Sequence, residues 1–98
     1  MRSERTVMRT IQARFGSVVR GQRLSVGLSQ QELAHRSGLH RTYVTDVERG
    51  ARNPSLNSVK KLSDALGVSL SNLFNLVEDL ERQDRTSDPV TGAKNPGK

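Results

Sequence analysis

Apolar residues recur at every third or fourth position over most of residues 11–80, which is the spacing of an amphipathic helix. A clear case is the run Leu56, Val59, Leu62 and Leu66, which is followed by Gly67. No stretch alternates between apolar and polar residues as a half-buried strand would. The pattern therefore predicts an all-α domain of short helices packed around one core.

The helix boundaries follow from residues that begin or end helices. Ser29 and Glu32 have the spacing of a capping box, and Gly38 suits the left-handed position that ends a helix. The same reasoning predicts helices at about 11–26, 30–37, 41–49, 56–66 and, after a cap at Ser69 or Ser71, 70–82. The side chains expected to face inward are Ile11, Phe15, Val18, Val19, Val26, Leu33, Ala34, Val44, Val47, Leu56, Val59, Leu62, Leu66, Leu70, Leu73, Phe74, Val77 and Leu80.

The two ends of the chain have a different composition. Residues 1–10 are expected to form a basic N-terminal arm or an extension of the first helix, either a minor-groove arm or a solvated terminus. Residues 11–82 form the predicted domain. Residues 83–98 contain two prolines and two glycines with almost no apolar content, which is typical of a disordered tail.

Charge is distributed unevenly along the chain. The net charge is +6, but residues 1–61 hold twelve Arg/Lys and four Asp/Glu, whereas residues 62–98 hold four and six. The first part thus carries +8 and favours a polyanionic partner. The chain has no cysteine, no apolar stretch long enough for a membrane span and no apolar segment near its start, so we expect a cytoplasmic protein without a disulfide or thiolate metal site.

Residues 30–49, QQELAHRSGLHRTYVTDVER, have the spacing of a helix-turn-helix. Ala34 is small where two helices would approach, and Gly38 permits a sharp turn. Val44 and Val47 would hold the second helix against the first. One face of the second helix then remains polar, which is the arrangement that enters a DNA major groove.

Four segments, GLSQQELA, SGLHRTYV, VERGARNPSL and ALGVSL, resemble the phage-repressor (Xre-type) helix-turn-helix family. The resemblance covers about residues 11–75, with the four motifs in the family's order and spacing. LHRTYV followed by ERGARNPSL is similar to the controller proteins of bacterial restriction–modification systems. Ser37 departs from the family, which usually has an apolar residue there.

The resemblance implies roles for individual residues. A buried ion pair between Arg23 and Glu48 would join the first helix to the third. Asp46 would accept a hydrogen bond from cytosine or orient Arg41 or Arg49, and Tyr43 would lie on the DNA backbone or pack at the helix edge. The implied base-reading residues are Arg41, Thr42, Thr45 and Asp46. The implied phosphate-contacting residues are Ser29, Gln30, Tyr43, Arg49, Arg52 and Asn53.

The fifth predicted helix has more apolar residues than one face needs. We expect Phe74, Leu76 and Leu80 to form a homodimer interface, although deeper docking of this helix on the core would use the same residues. A two-fold dimer would bind a pseudo-palindromic operator with half-sites about 34 Å apart. RNA polymerase is a further candidate partner. The alternative function is a protein-interaction adaptor or antitoxin, which would not need the arginines clustered near 36–52.

No pattern of residues indicates an enzyme, a cofactor or a small-molecule site. His35 and His40 are five residues apart, with no cysteine or suitable carboxylate cluster to complete a metal site. The acidic residues Glu78, Asp79 and Glu81 are most simply a solvated helix face. No nucleophile–base constellation or phosphate-binding glycine loop occurs.

Overall fold

The computed structural model describes residues 10–86, and this part of the chain consists of five helices joined by short turns. No strand occurs within it, so the predicted all-α class is confirmed. None of these helices is long and apolar enough to cross a membrane. The helices are α1 (Ile11–Ser25), α2 (Gln30–Ser37), α3 (Arg41–Glu48), α4 (Leu56–Leu66) and α5 (Leu70–Thr86).

Hydroxyl groups begin four of the helices. The Ser29 hydroxyl accepts from the Glu32 backbone N–H while the Glu32 carboxylate accepts from the Ser29 backbone N–H, which is the predicted capping box. At α5, the Ser69 hydroxyl accepts from the Asn72 backbone N–H at 3.1 Å, which identifies Ser69 rather than Ser71 as the cap. Thr10 and Ser55 cap α1 and α4 in the same way.

The core is formed by one side chain or more from each helix, and its most buried members are Val19, Leu33, Val44, Val47, Leu62 and Leu73. Five residues expected to face inward are exposed instead: Leu56 is 85% exposed, Ile11 61%, Val26 50%, Leu70 39% and Phe74 36%. All but Phe74 lie at the end of a helix, since Ile11, Leu56 and Leu70 begin α1, α4 and α5 and Val26 ends α1. Helical periodicity identifies a face of a helix but not whether that face is covered at the helix end.

The C-terminal end of α5 extends past the predicted domain boundary at 82, since the helix continues to Thr86. Its last turns are held to α1 by Arg14, whose guanidinium donates to Asp84 at 3.0 Å and lies 3.5 Å from Glu81. Residues 83–86 are therefore part of the folded domain and not of a tail. The remainder of the predicted tail, 87–98, and the predicted arm over 1–9 lie outside the described residues.

Gly16 brings the backbone of α1 against the end of α3. A Cβ atom at this position would lie 2.2 Å from the Val47 carbonyl oxygen and 2.7 Å from that of Glu48. Gly50, just after α3, would place a Cβ 2.9 Å from the Ala13 Cα. Only glycine permits these two backbones to approach so closely, although a glycine inside α1 costs about 1 kcal/mol relative to alanine.

Candidate nucleic-acid interface

A buried ion pair holds the C-terminal end of α3. The Arg23 guanidinium donates through Nε to Glu48 at 2.7 Å and through a second nitrogen to the other carboxylate oxygen at 3.0 Å. The two side chains are 9% and 3% exposed. Arg23 also donates to the Leu28 carbonyl at 2.9 Å in the turn before α2, so one side chain joins α1, α2 and α3.

The Arg23–Glu48 pair was implied by the resemblance, and its geometry is bidentate. The hydrogen bond from Arg23 to the Glu48 side chain raises the pKa of Arg23. The two opposite charges neutralise each other, and every buried side-chain polar atom in residues 10–86 has a hydrogen-bond partner. These contacts offset the cost of removing both charges from water. Loss of one member would leave the other charge buried without a partner.

The first turn of α3 presents two polar side chains to solvent. Arg41 and Thr42 are exposed. Neither side chain makes a hydrogen bond or ion pair with any residue in the range 10–86. His40 precedes them as the N-cap, without a side-chain hydrogen bond to the helix. A guanidinium and a hydroxyl at the start of a helix, both uncommitted, can pair with base edges in a major groove.

The second half of α3 is different, because its polar side chains are already engaged. Asp46 accepts from Arg52 at 3.2 Å and lies 4.0 Å from the Arg49 guanidinium. Arg52 in turn lies over the Tyr43 ring, 4.6 Å from its centroid, which is a cation–π arrangement. The hydrogen-bond partner of Asp46 is thus Arg52, which was not one of the two arginines suggested for it, while Arg49 lies at ion-pair distance. Tyr43 packs against the edge of the core, and its ring face carries Arg52.

Thr45 is also engaged, with a residue of α2. Its hydroxyl lies 3.1 Å from the Gln30 side-chain oxygen and 3.0 Å from the Arg41 carbonyl. Gln30 donates from its amide nitrogen to Glu48 at 3.0 Å. The resemblance had suggested Gln30 only as a phosphate contact and Thr45 only as a base reader. Contacts between residues 15 and 18 positions apart leave no signal in a local pattern.

The start of α2 retains donors for an anion. The Ser29 hydroxyl accepts one hydrogen bond from Glu32 and keeps its own proton, and it lies exposed at the helix N-terminus, where an anion is favoured. The hydrogen bonds of the capping box lower the pKa of Glu32. Asn53 is exposed in the turn that follows α3.

The three residues expected to form a dimer interface do not share one surface. Leu76 and Leu80 line a groove against α1 together with Val18 and Gly21, and both are half-buried against the core. Phe74 lies elsewhere. It stacks on Phe15 with ring centroids 5.9 Å apart.

Phe74 instead belongs to a depression whose lining includes Ile11, Asn53, Pro54 and Leu56. We call Ile11, Leu56 and Phe74 the apolar patch. Its members are among the most exposed large apolar residues that the structure describes, at 61%, 85% and 36%. Of the three residues expected at a dimer interface, only Phe74 belongs to this patch, while Leu76 and Leu80 line the groove against α1.

Two other predictions concern single residues. His35 and His40 are both exposed, and no group of three or more potential metal ligands occurs within residues 10–86. Ser37 is 7% exposed, and its hydroxyl donates to the Ala34 carbonyl at 3.2 Å. The family departure at Ser37 is thus accommodated by a hydrogen bond inside α2.

Proteins of known family resemble this chain in sequence over most of the helical domain. A helix-turn-helix family model matches residues 19–73. The control protein C.BamHI of Bacillus amyloliquefaciens is 51% identical over 61 residues, which are 61% of this chain and 75% of that protein.

Solved structures of restriction–modification controller proteins superpose on this chain. The restriction–modification controller protein C.AhdI of Aeromonas hydrophila superposes with a TM-score of 0.62 at 47% identity, over 63% of this chain and 94% of that one. C.Esp1396I, solved bound to a 25-base-pair operator site, gives 0.70 at 29% identity, over 74% and 96%. That protein is also solved as a tetramer on its natural 35-base-pair operator.

Proposed function

Because the chain belongs to the helix-turn-helix family, we propose that it is a sequence-specific regulator of transcription that binds double-stranded DNA. The observation that carries this proposal is the first turn of α3, where Arg41 and Thr42 are exposed and uncommitted while the rest of the helix is anchored. In the proposed complex α3 enters the major groove. Arg41 pairs with guanine O6 and N7, and Thr42 contacts the adjacent base edge.

The phosphate contacts surround that turn. We assign them to Ser29 and Gln30 at the start of α2 and to Arg49 and Arg52 at the end of α3, with Asn53 at the margin. Arginines in such positions fix the protein on the duplex without reading sequence. Tyr43 supports Arg52 through its ring. The proposed function is therefore DNA binding and not catalysis, and we propose that the protein acts in the cytoplasm.

The experiment compares the DNA upstream of the protein's own gene with a random duplex of equal length at about 150 mM salt, where non-specific binding is weak. We expect a preference of at least about a thousandfold for the upstream DNA. Equal affinity for both duplexes would contradict the proposal. The adaptor alternative predicts no DNA binding at all, and the exposure of Arg36, Arg41 and Arg49 favours the DNA-binding function over it.

We further propose that the active form is a homodimer that uses the apolar patch and binds a pseudo-palindromic operator. Leu56, at 85% exposure, contributes nothing to the core of a monomer, and contact with a second copy of the chain would remove its apolar surface from water. Leu56→Glu should yield a monomer in sedimentation with the fold intact. Leu24→Glu is the matched control, since Leu24 is 52% exposed but lies at the opposite end of α1.

Similarity to C.BamHI and C.AhdI supports a narrower role, in which the operon under control encodes a restriction–modification system. The observation that tests this role is genomic. Genes for a methyltransferase and an endonuclease should lie beside this gene, and the operator should lie upstream of them. A neighbourhood without either gene would contradict the narrower role and leave the DNA-binding function intact.

A further inference from the structure

The buried ion pair of α1 and α3 continues outward to the surface proposed to bind DNA. Glu48 accepts from Arg23 through both carboxylate oxygens. One of these oxygens also accepts from the Gln30 side-chain nitrogen at 3.0 Å. The Gln30 side-chain oxygen then lies 3.1 Å from the Thr45 hydroxyl. Four side chains from three helices thus form one chain of hydrogen bonds.

The donors and acceptors in this series of hydrogen bonds can be assigned in only one way. A guanidinium can only donate, and a carboxylate in an ion pair can only accept. The group that Gln30 turns toward Glu48 must therefore be its NH2 group, and its carbonyl oxygen must face Thr45, whose hydroxyl can donate to it. If the amide were rotated by 180°, two oxygens would face each other at 3.0 Å.

This assignment determines what Gln30 can offer to DNA. Its NH2 group has two protons, and Glu48 takes one. The other proton remains on a half-exposed side chain at the N-terminus of α2, where a phosphate oxygen would accept it. A free amide, by contrast, would have to give up its rotational freedom when it turned its nitrogen toward a phosphate.

We propose that Glu48 and Thr45 are positioning residues that fix the Gln30 amide with its N–H toward a DNA phosphate, and that Thr45 therefore does not read a base. This inference rests on the proposed DNA-binding function. It assigns Glu48 a second role beyond its ion pair, and it separates Thr45 from Arg41 and Thr42. The single proton of the Thr45 hydroxyl is shared between the Gln30 side-chain oxygen at 3.1 Å and the Arg41 carbonyl oxygen at 3.0 Å, so it is not left to donate to a base.

The first arm of the test uses the free protein and needs no DNA. The side-chain amide of Gln30 is identified in a nitrogen–proton NMR spectrum as the signal lost in Gln30→Met. One of its two protons should exchange with solvent more slowly than the other, because that proton is held by the buried Glu48. Equal and rapid exchange of both protons would overturn the proposal, whatever the outcome of DNA binding.

The second arm is a double-mutant cycle on the upstream DNA, with Gln30→Met, Thr45→Val and the two combined. Thr45→Val keeps the β-branched shape and removes only the hydroxyl. Gln30→Met should weaken binding about tenfold on every sequence, the effect of one lost charge-assisted hydrogen bond. Thr45→Val should weaken binding by less, with base preference unchanged, and should add nothing in the Gln30→Met background.

Two outcomes of the cycle would overturn the inference: a change of preference at one base pair in Thr45→Val, or losses that multiply fully in the double variant. If the unmodified protein shows no preference for the upstream DNA, the proposed function fails. The amide-exchange arm then still decides whether Gln30 is held as described. Circular dichroism of each variant confirms that the fold is retained at the temperature used.

Discussion

The two halves of α3 differ in whether their polar side chains have hydrogen-bond or ion-pair partners within the protein itself. In the first turn, Arg41 and Thr42 are exposed and make no hydrogen bond or ion pair with any residue from 10 to 86. In the second half, Thr45, Asp46 and Glu48 are each engaged with another helix or with the turn that follows. In the proposed complex, the first turn contacts the bases, and the contacts of the second half fix the position of the helix.

The two halves should differ in DNA binding because a side chain that is already hydrogen-bonded gains less free energy from a base. A side chain that already has a partner must give up that hydrogen bond to bind a base, and the net gain from the exchange is small. An uncommitted guanidinium exchanges only water. Selectivity should therefore be concentrated in the first turn, and the variants below separate the two halves in order of expected effect.

The largest effect is expected for Glu48→Ala at the anchored end. Removing one member of a buried pair costs about 3–5 kcal/mol, because the Arg23 guanidinium remains 9% exposed without its partner. Chemical denaturation measures the loss. A change below about 1 kcal/mol, the scale of a surface ion pair, would show that the pair does not anchor α3.

The next effect is Gly16→Ala, which tests the contact between α1 and the end of α3. A Cβ would lie 2.2 Å from the Val47 carbonyl oxygen, so α3 must shift, at a cost of about 1–3 kcal/mol. The matched control is Gly21→Ala in the same helix, where a Cβ meets nothing within 4 Å. That control should gain up to about 1 kcal/mol in helix propensity. Equal effects of the two substitutions would refute the close approach.

Arg52→Ala tests a residue that is proposed to contact a phosphate. We expect weaker binding to all duplexes alike and a salt slope reduced by about 0.9, the value for one lost phosphate contact. Arg82→Ala on α5 removes the same charge and should leave the slope unchanged. A loss confined to one base pair in Arg52→Ala would place this residue among the readers and remove the distinction between the halves.

The smallest effect concerns pH and the start of α2, which supports Gln30. The capping box lowers the pKa of Glu32 below its unfolded value. Its contribution to stability is therefore present above the unfolded pKa, near 4.3, and is lost as pH falls through the folded value. The difference in melting temperature between the unmodified protein and Glu32→Gln should be present at pH 7 and vanish in acid. A difference that grew on acidification would contradict this sign.

The parts of the structure that the sequence predicted are those that depend on neighbours along the chain. Ser29, Glu32 and Gly38 act within a few residues of their own positions, so the boundaries of α2 could be predicted from them alone. The exposure of Ile11 and Leu56 could not, because it depends on how far other helices extend past the ends of α1 and α4.

The separation of Phe74 from Leu76 on α5 follows from helix geometry alone. Residues two apart on a helix differ by about 200° in direction, so Phe74 and Leu76 cannot lie on one face. Gly16 and Gln30 are a different case. Their contacts with Val47 and Glu48 join segments that are distant in sequence, and only the packing of the helices reveals them.

Affinities on a set of altered operators show whether selectivity lies in the first turn of α3. Each base pair of the upstream operator is varied in turn, and the affinities of the unmodified protein, Arg41→Ala and Arg52→Ala are compared on every duplex. Arg41→Ala should lose about 1–3 kcal/mol of discrimination at one position of each half-site, while Arg52→Ala keeps the full profile at lower affinity. An unchanged profile in Arg41→Ala, or an altered one in Arg52→Ala, would contradict the account.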